Sequence, residues 1–182
     1  MRIIAGCKRG LKLRAPEGDA IRPTSDKVRG AVFNMLAHGI FAGRLEGARV
    51  ADIFCGTGAF ACEALSRGAA HVTLVDQSRE ALALAKLNAA RAGFHQSCDL
   101  LCIDATRLPR TEKPYDLVFL DPPYRENLLP PALAALTRRH WLNKDSLIVA
   151  ENAKDEKLAF SGFDIKDQRA YGKTLVTFLS LS

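Results

Sequence analysis

The chain has 182 residues, 48% apolar and 25% charged, with a net charge of +6, which is ordinary for a globular chain long enough to bury one continuous core. No apolar stretch nears the roughly 20 residues of a membrane span, and Met1-Arg2-Ile3-Ile4-Ala5-Gly6 lacks the apolar run of a secretory signal, so a cytoplasmic chain without membrane contact is expected. Cys7, Cys55, Cys62, Cys98 and Cys102 are odd in number and irregular in spacing, which reads as free thiols in a reducing compartment and excludes a disulfide scaffold.

The chain opens on its most basic part. Residues 1–30 hold eight Lys and Arg against three acids, leaving a net charge of only +1 for the other 152 residues. Positive charge this concentrated is the electrostatic footprint of a polyanion contact. Arg2–Ala5 and Leu11–Arg14 read as two short strands around a Lys8-Arg9-Gly10 turn. Arg22-Pro23-Thr24 follows, then a helix from Ser25 or Asp26 to about His38 with Val28, Val32, Phe33 and Leu36 at helical spacing.

After residue 48 strands and helices alternate. Arg49–Phe54 is a buried strand ending at a glycine pair, and Ala59–Arg67 a helix stopped by Gly68. Strand His71–Val75 ends at Asp76, and helix Arg79–Ala92 ends at Gly93. Further strands fall at Asp99–Ile103, Tyr115–Leu120 and Ser146–Glu151, with a helix at Leu128–His140 and a final hairpin of Asp164–Ala170 and Thr174–Leu181. This order predicts an α/β fold with a doubly wound, mainly parallel sheet and an antiparallel pair at one edge. No linker or repeat interrupts it, so residues 1–182 are expected to form one domain, with 1–48 as an extension on a core of 49–182.

Two motifs carry chemistry. The first is Asp52-Ile53-Phe54-Cys55-Gly56-Thr57-Gly58, a strand running through a glycine turn into a helix start. The glycines admit positive φ and close approach of a ligand, and the helix start presents free N–H groups. Asp76, 20 residues after Gly56, is placed to accept ribose hydroxyls. The spacing with Ala61 also satisfies a dinucleotide fingerprint, so NAD is a rival. Asp52, however, stands four residues before Gly56, where a carboxylate repels a pyrophosphate and attracts an ammonium or sulfonium. With Asp104 as a group for an adenine amine, the set suits S-adenosylmethionine. Each of these acids also has a plain alternative role as a cap of a helix or turn.

The second motif is Asp121-Pro122-Pro123-Tyr124, directly after the apolar run Leu117–Leu120. Two prolines stiffen the turn and leave a carboxylate and backbone carbonyls at one mouth. These acceptors suit an exocyclic NH2, and Tyr124 offers a face for a planar base. The implied chemistry is methyl transfer to a nucleobase amine. His38, His71, His95 and His140 form no recognisable triad, no histidine stands at zinc-finger spacing from Cys98 and Cys102, and no metal is expected. Trp141, Ser66 and Cys62 read as packing residues.

Taken together, these segments resemble the bacterial 16S (small-subunit) ribosomal RNA guanine-N2 methyltransferases of the RsmD type. The resemblance runs nearly end to end. Its marks are Arg2–Gly6 with Arg9-Gly10, Arg22–Arg29 with Phe33-Asn34, the glycine loop through Glu63–Ala69, Asp121–Tyr124 and Tyr171-Gly172. Gly30 and Cys55 depart from the residues usual there. The resemblance implies a seven-stranded Rossmann-like methyltransferase sheet, S-adenosyl-L-methionine as donor and a guanine of 16S rRNA, free or in a small-subunit particle, as acceptor. It assigns Asp52, Gly56 and Gly58 to the methionine part, Asp76 to the ribose and Asp104 to the adenine, with Phe54, Gln77 and Ala105 beside them. Asp121, Pro122, Pro123 and Tyr124 then hold the target base. Lys8, Arg9, Lys12 and Arg14 are the expected phosphate contacts, with Arg22, Thr24, Arg29 and Asn34 nearer the base entrance. A monomer is expected. The rivals are a DNA adenine-N6 or cytosine-N4 methyltransferase, for which the chain lacks room for a target-recognition domain, and a non-enzymatic ribosome-assembly factor, which has no use for the acidic pocket.

Overall fold

The computed structural model describes residues 1–15 and 26–182; Arg22 and Thr24 therefore lie outside the described residues. In chain order the elements are helix α1 Asp26–His38, strand β1 Arg49–Ile53, α2 Ala59–Ser66, β2 His71–Asp76, α3 Arg79–Arg91, β3 Cys98–Cys102, β4 Leu117–Leu120, α4 Leu129–Arg138, β5 Leu147–Ala153, β6 Phe163–Tyr171 and β7 Thr174–Leu181. The seven strands make one sheet in the order β3-β2-β1-β4-β5-β7-β6. The first five are parallel, and β7 runs antiparallel between β5 and β6. The chain reverses direction across the sheet between β1 and β4, the switch point where α/β sheets open a crevice at their strand tips.

Both faces of the sheet are covered, which is why its strands read as unbroken apolar runs. Alternate side chains serve opposite faces. Val50, Leu74, Phe119 and Val149 pack with Val32 and Phe33 of α1, Phe60 of α2 and Leu82 of α3. Ile53, Val118, Leu120 and Ile148 pack with Leu133 and Leu136 of α4 and with Trp141. On the first face Phe33, Phe60 and Phe119 meet with ring centroids 4.8–5.8 Å apart.

The two short strands expected at the N-terminus reduce to a single antiparallel bridge between Arg2 and Lys12. Three backbone bonds join the segments, from Ile3 N to Leu11 O, Gly10 N to Ile3 O and Leu13 N to Met1 O, while other backbone groups bond to the core. The buried carboxylate of Glu63 on α2 accepts the N–H groups of Ile4 at 2.7 Å and Ala5 at 3.0 Å, and pairs with Arg67 at 2.6 Å. Ser66 takes the N–H of Lys8 and donates to the carbonyl of Ala5, so it fastens the hairpin as well as packing. Gly6, with φ of +83°, crosses so near Ser66 that a Cβ would run into its carbonyl. Ile3 and Leu13 complete the seat against Ala59, Cys62 and Ala92.

Glu63 is wholly buried, and its removal strands two N–H groups and a guanidinium. Glu63→Ala is expected to destabilise the fold by about 3–5 kcal/mol, read as a shift of the urea midpoint. A loss under about 1 kcal/mol would show that water satisfies those groups.

Candidate functional site

The glycine turn between β1 and α2 is held from below by two aspartates. Phe54 leaves β1 with φ of +64°, and Gly56 and Gly58 follow at +50° and +71°. A left-handed phenylalanine costs about 1–3 kcal/mol and is kept here by the hydrogen bonds around it. Asp76, at the tip of β2, accepts from Gly56 N at 3.0 Å and from Ser78 N at 2.9 Å. Asp52 accepts from Ala61 N at 3.1 Å, in the first turn of α2. A Cβ on Gly58 would stand 3.0 Å from Ala85 Cβ, so glycine is also what lets α3 close against the turn.

Asp52 is 3% exposed and sits under the turn, outside the cleft wall in which its expected role had placed it. Burial pushes its carboxyl well above the usual range. The hydrogen bond from Ala61 opposes that, and the charges of Asp121 and Asp76 add to it. Gly56 and Gly58 present backbone at the same turn. A cavity of about 230 Å³ opens beside it, walled by Phe54, Asp76, Gln77, Asp104, Ala105 and Thr106. Five residues of the expected cofactor set thus line one space, formed by the tips of β1, β2 and β3. Asp104 also caps the short 3-10 turn Ala105–Arg107: it accepts from Thr106 N and Oγ1 at 2.8 Å, and these bonds lower its pKa.

Across the switch point, the turn Asp121–Tyr124 leaves β4 with Pro122 buried and Tyr124 half-buried. The Tyr124 hydroxyl bonds Thr174 Oγ1 at 2.9 Å. A narrow cleft there is lined by Pro122, Pro123, Tyr124, Glu151, Asn152 and Glu156. Leu128 lines both this cleft and the larger cavity, so the two adjoin. Glu151 and Glu156 were not singled out in the sequence. Glu156 ties the turn to the end of β5, accepting from Arg125 N and Ala153 N at 2.7 Å each. Glu151, inside β5 after the apolar run Leu147–Ala150, has a buried carboxyl, and burial followed by the charge of Asp121 raises its pKa well above the usual value. An acid closing an otherwise apolar run is the signal that could have found it.

The basic set divides. Lys8, Arg9, Lys12 and Arg14 are exposed on the hairpin, and Asn34 is exposed on α1. Arg29 is not available to an RNA: its side chain is 0% exposed, donating to the carbonyl of Arg2 at 2.6 Å and to Asp26 at 2.9 Å. It anchors α1 to the hairpin instead. The backbone of Arg14 exchanges two hydrogen bonds with Asn88, whose side chain also donates to the carbonyl of Thr57 at 2.9 Å. The basic hairpin and the glycine turn therefore share one support.

The site is an acidic crevice with acceptors at its tips, a fit for a ligand carrying positive charge, a ribose and a planar amine-bearing ring. Among the described residues no cluster of His, Cys, Asp or Glu is arranged to hold a metal ion. Residues 1–180 match the family described as conserved hypothetical protein 95. The ribosomal RNA small subunit methyltransferase D of Escherichia coli (strain K12) is 36% identical over 165 residues, spanning 87% of this chain and 77% of its own. YlbH of Bacillus subtilis (strain 168), provisionally named an rRNA methyltransferase, is 34% identical over 180 residues, 96% of this chain and 95% of its own. The solved structure of yhhF from Escherichia coli, provisionally named a methyltransferase, superposes with a TM-score of 0.85 at 31% identity, covering 100% of this chain and 98% of the other.

The raised Asp52 carboxyl fixes a sign. A group that holds its proton more tightly in the folded chain contributes stability below its ordinary range, and that contribution is lost as pH rises through the raised value. Asp52→Asn keeps an oxygen for Ala61 N and removes the buried charge. It is expected to melt above the wild type at about pH 8 and level with it at about pH 4. A pH-independent difference in paired thermal melts would assign the effect to packing.

Proposed function

The chain belongs to the same methyltransferase family as the ribosomal RNA small subunit methyltransferase D proteins, and from that membership we propose that it methylates the N2 amino group of a guanine in 16S ribosomal RNA, with S-adenosyl-L-methionine as donor. The observation that carries this reading is the stiff acid-Pro-Pro-Tyr turn set at the switch point, next to the cavity at the tips of β1, β2 and β3.

The donor fits the residues present. In this reading Asp76 takes the ribose hydroxyls, Asp104 and Ala105 the adenine, and Phe54 and Gln77 form the walls between them; in support, all five line one cavity. The glycine turn takes the methionine part, with Asp52 beneath it, whose ionised form a positively charged ligand favours. An NAD pyrophosphate in this acidic crevice meets repulsion from the same groups. When bound, S-adenosylmethionine supplies a methyl group already activated on a sulfonium, so no strong base is required before transfer.

Asp121 and the carbonyl of Pro122 accept the two hydrogens of the amine. That grip turns the nitrogen lone pair out of conjugation with the ring and toward the methyl. Positive charge developing on nitrogen is stabilised by the Asp121 carboxylate, and Tyr124, its hydroxyl held by Thr174, presents its ring to the base. In-line placement supplies most of the rate. The exposed hairpin cations hold the RNA backbone, and the small size of that surface favours a folded rRNA or a ribosomal particle as substrate.

The direct test is transfer of labelled methyl to naked 16S RNA, to small-subunit particles and to duplex DNA, with the product nucleoside identified by mass spectrometry. N2-methylguanosine in RNA is expected; N6-methyladenine in DNA would overturn the substrate. Asp121→Ala is expected to lower kcat about 10²–10³-fold with donor affinity unchanged in calorimetry, and near-normal turnover would remove Asp121 from its role. Neutralising Lys8 and Arg9 together is expected to weaken RNA binding and reduce the slope of log K against log salt by about 1–2. Equal slopes in the two proteins would take the hairpin out of the interface.

A further inference from the structure

The reaction as described leaves one buried carboxyl of the acceptor cleft unused. The β4–β5 register pairs Phe119 with Val149 and Leu120 with Ala150. The next positions in that register are Asp121 and Glu151. Phe119 and Val149 belong to the α1–α2 face of the sheet, so alternation directs Asp121 and Glu151 toward that same face, on strands about 4.8 Å apart. Glu151 is 2% exposed, and its Oε1 has no hydrogen-bond partner. Among the described residues it forms no ion pair. A buried polar atom left in that state is costly, and native proteins keep few of them without a reason. Glu151 lies beside Asp121 in the register, and it also lines the cleft walled by Pro122 and Tyr124.

The chemistry of base edges says what such an atom fits. Guanine presents a ring N–H directly beside its exocyclic amine. Adenine and cytosine present a ring acceptor in that place. One carboxylate beside the amine leaves the neighbouring position unread; two carboxyls side by side match two adjacent donors. Resting on the guanine-N2 reading above, we propose that Glu151 reads the target base: its Oε1 accepts the ring N–H adjoining the amine that Asp121 holds, selecting guanine over bases with an acceptor there. The cleft encloses only about 10 Å³, room for about one water-sized group, so it takes the edge of the base and not the ring.

The ionisable groups facing Glu151 are Asp121 from the end of β4 and Tyr124 and Glu156 from the cleft wall, with Asp52 one strand beyond Asp121. Burial and the Asp121 charge favour its protonated form in the free protein. A donor N–H favours the ionised form. Docking guanine therefore releases a proton, and the docking tightens as pH rises.

The test measures methyl transfer at saturating S-adenosylmethionine to small-subunit particles isolated from cells lacking the enzyme, for the wild type and Glu151→Gln, at pH values from about 5 to 8. The wild-type KM for particles is expected to fall as pH rises. Glu151→Gln is expected to raise that KM about tenfold at the upper end, because a charge-assisted bond becomes a neutral one, and to flatten the pH dependence. Its donor affinity in calorimetry stays that of the wild type, which also reports that it is folded. Wild-type KM and pH profile in Glu151→Gln, with N2-methylguanosine still formed, would overturn the role of Glu151 and leave the methylation reading intact. A different methylated nucleoside from the wild type would overturn the guanine reading and this inference with it. If the variant does not bind donor, the wild-type profile decides alone, and a flat one overturns the proposal.

Discussion

Four neighbouring strands of one sheet, β2, β1, β4 and β5, each bring a carboxyl group to the same end: Asp76, Asp52, Asp121 and Glu151. The repulsion among these acids is the constraint on which the site depends. It contributes to raising Asp52 and Glu151, although burial is the larger cause for both. The fold offsets part of it with backbone donors, the N–H groups of Gly56, Ser78 and Ala61, and so fixes the shape of the glycine turn. What remains is an imbalance that a positively charged ligand relieves and a pyrophosphate deepens. Spacing alone satisfied a dinucleotide fingerprint; the sign of the charge around it is what favours the proposed S-adenosylmethionine over NAD.

The same economy joins the basic extension to the core. Glu63 and Ser66 on α2 and Asn88 on α3 hold the hairpin by its backbone, leaving the side chains of Lys8, Arg9, Lys12 and Arg14 outward. Asn88 is bonded to both the hairpin and Thr57 of the glycine turn. The surface proposed to meet RNA is thus fixed to the elements that shape the donor site. On the proposed reading, an RNA oriented by the hairpin is oriented relative to the methyl donor as well.

Most of the fold was legible because its signals are local and agree with one another. Glycines closed helices, apolar runs marked two-sided strands, and the seven-strand count came from family resemblance and holds. The failures share a physical cause: each concerns a polar group whose partner is distant in sequence. Arg29 looked like one more cation of a basic segment, yet its charge is spent on Asp26 and on a carbonyl 27 residues away. The N-terminal segments do pair with each other through Ile3, Leu11 and Leu13, but over a single bridge, and Glu63, 58 and 59 residues on, takes the N–H groups of Ile4 and Ala5. Spacing placed Asp52 beside the glycine turn, but could not show that its carboxylate is buried under the turn on Ala61 N. Asp104 does cap a turn, the alternative role open to it, while also lining the cavity. Glu151 and Glu156 carry no motif, and their place follows only from strand register and from the loop after β5.

The antiparallel edge of the sheet braces the proposed acceptor side. A parallel neighbour of β5 brings its own C-terminal tip, and another loop, to the crevice. Because β7 is antiparallel, it brings its first residue: Thr174 pairs with Ala153 at the tip of β5. From there Thr174 reaches the Tyr124 hydroxyl, while Glu156 holds the turn beside it. The C-terminal hairpin thereby braces a turn already stiffened by two prolines. The donor side rests instead on the parallel strands β1, β2 and β3 and on the helices α2 and α3. Two differently supported halves meet at the switch point, where Leu128 lines both spaces. The proposed transfer of a methyl group between ligands held by the two halves needs that junction to be stiff, since a misplacement of about 1 Å is enough to cost two orders of magnitude in rate.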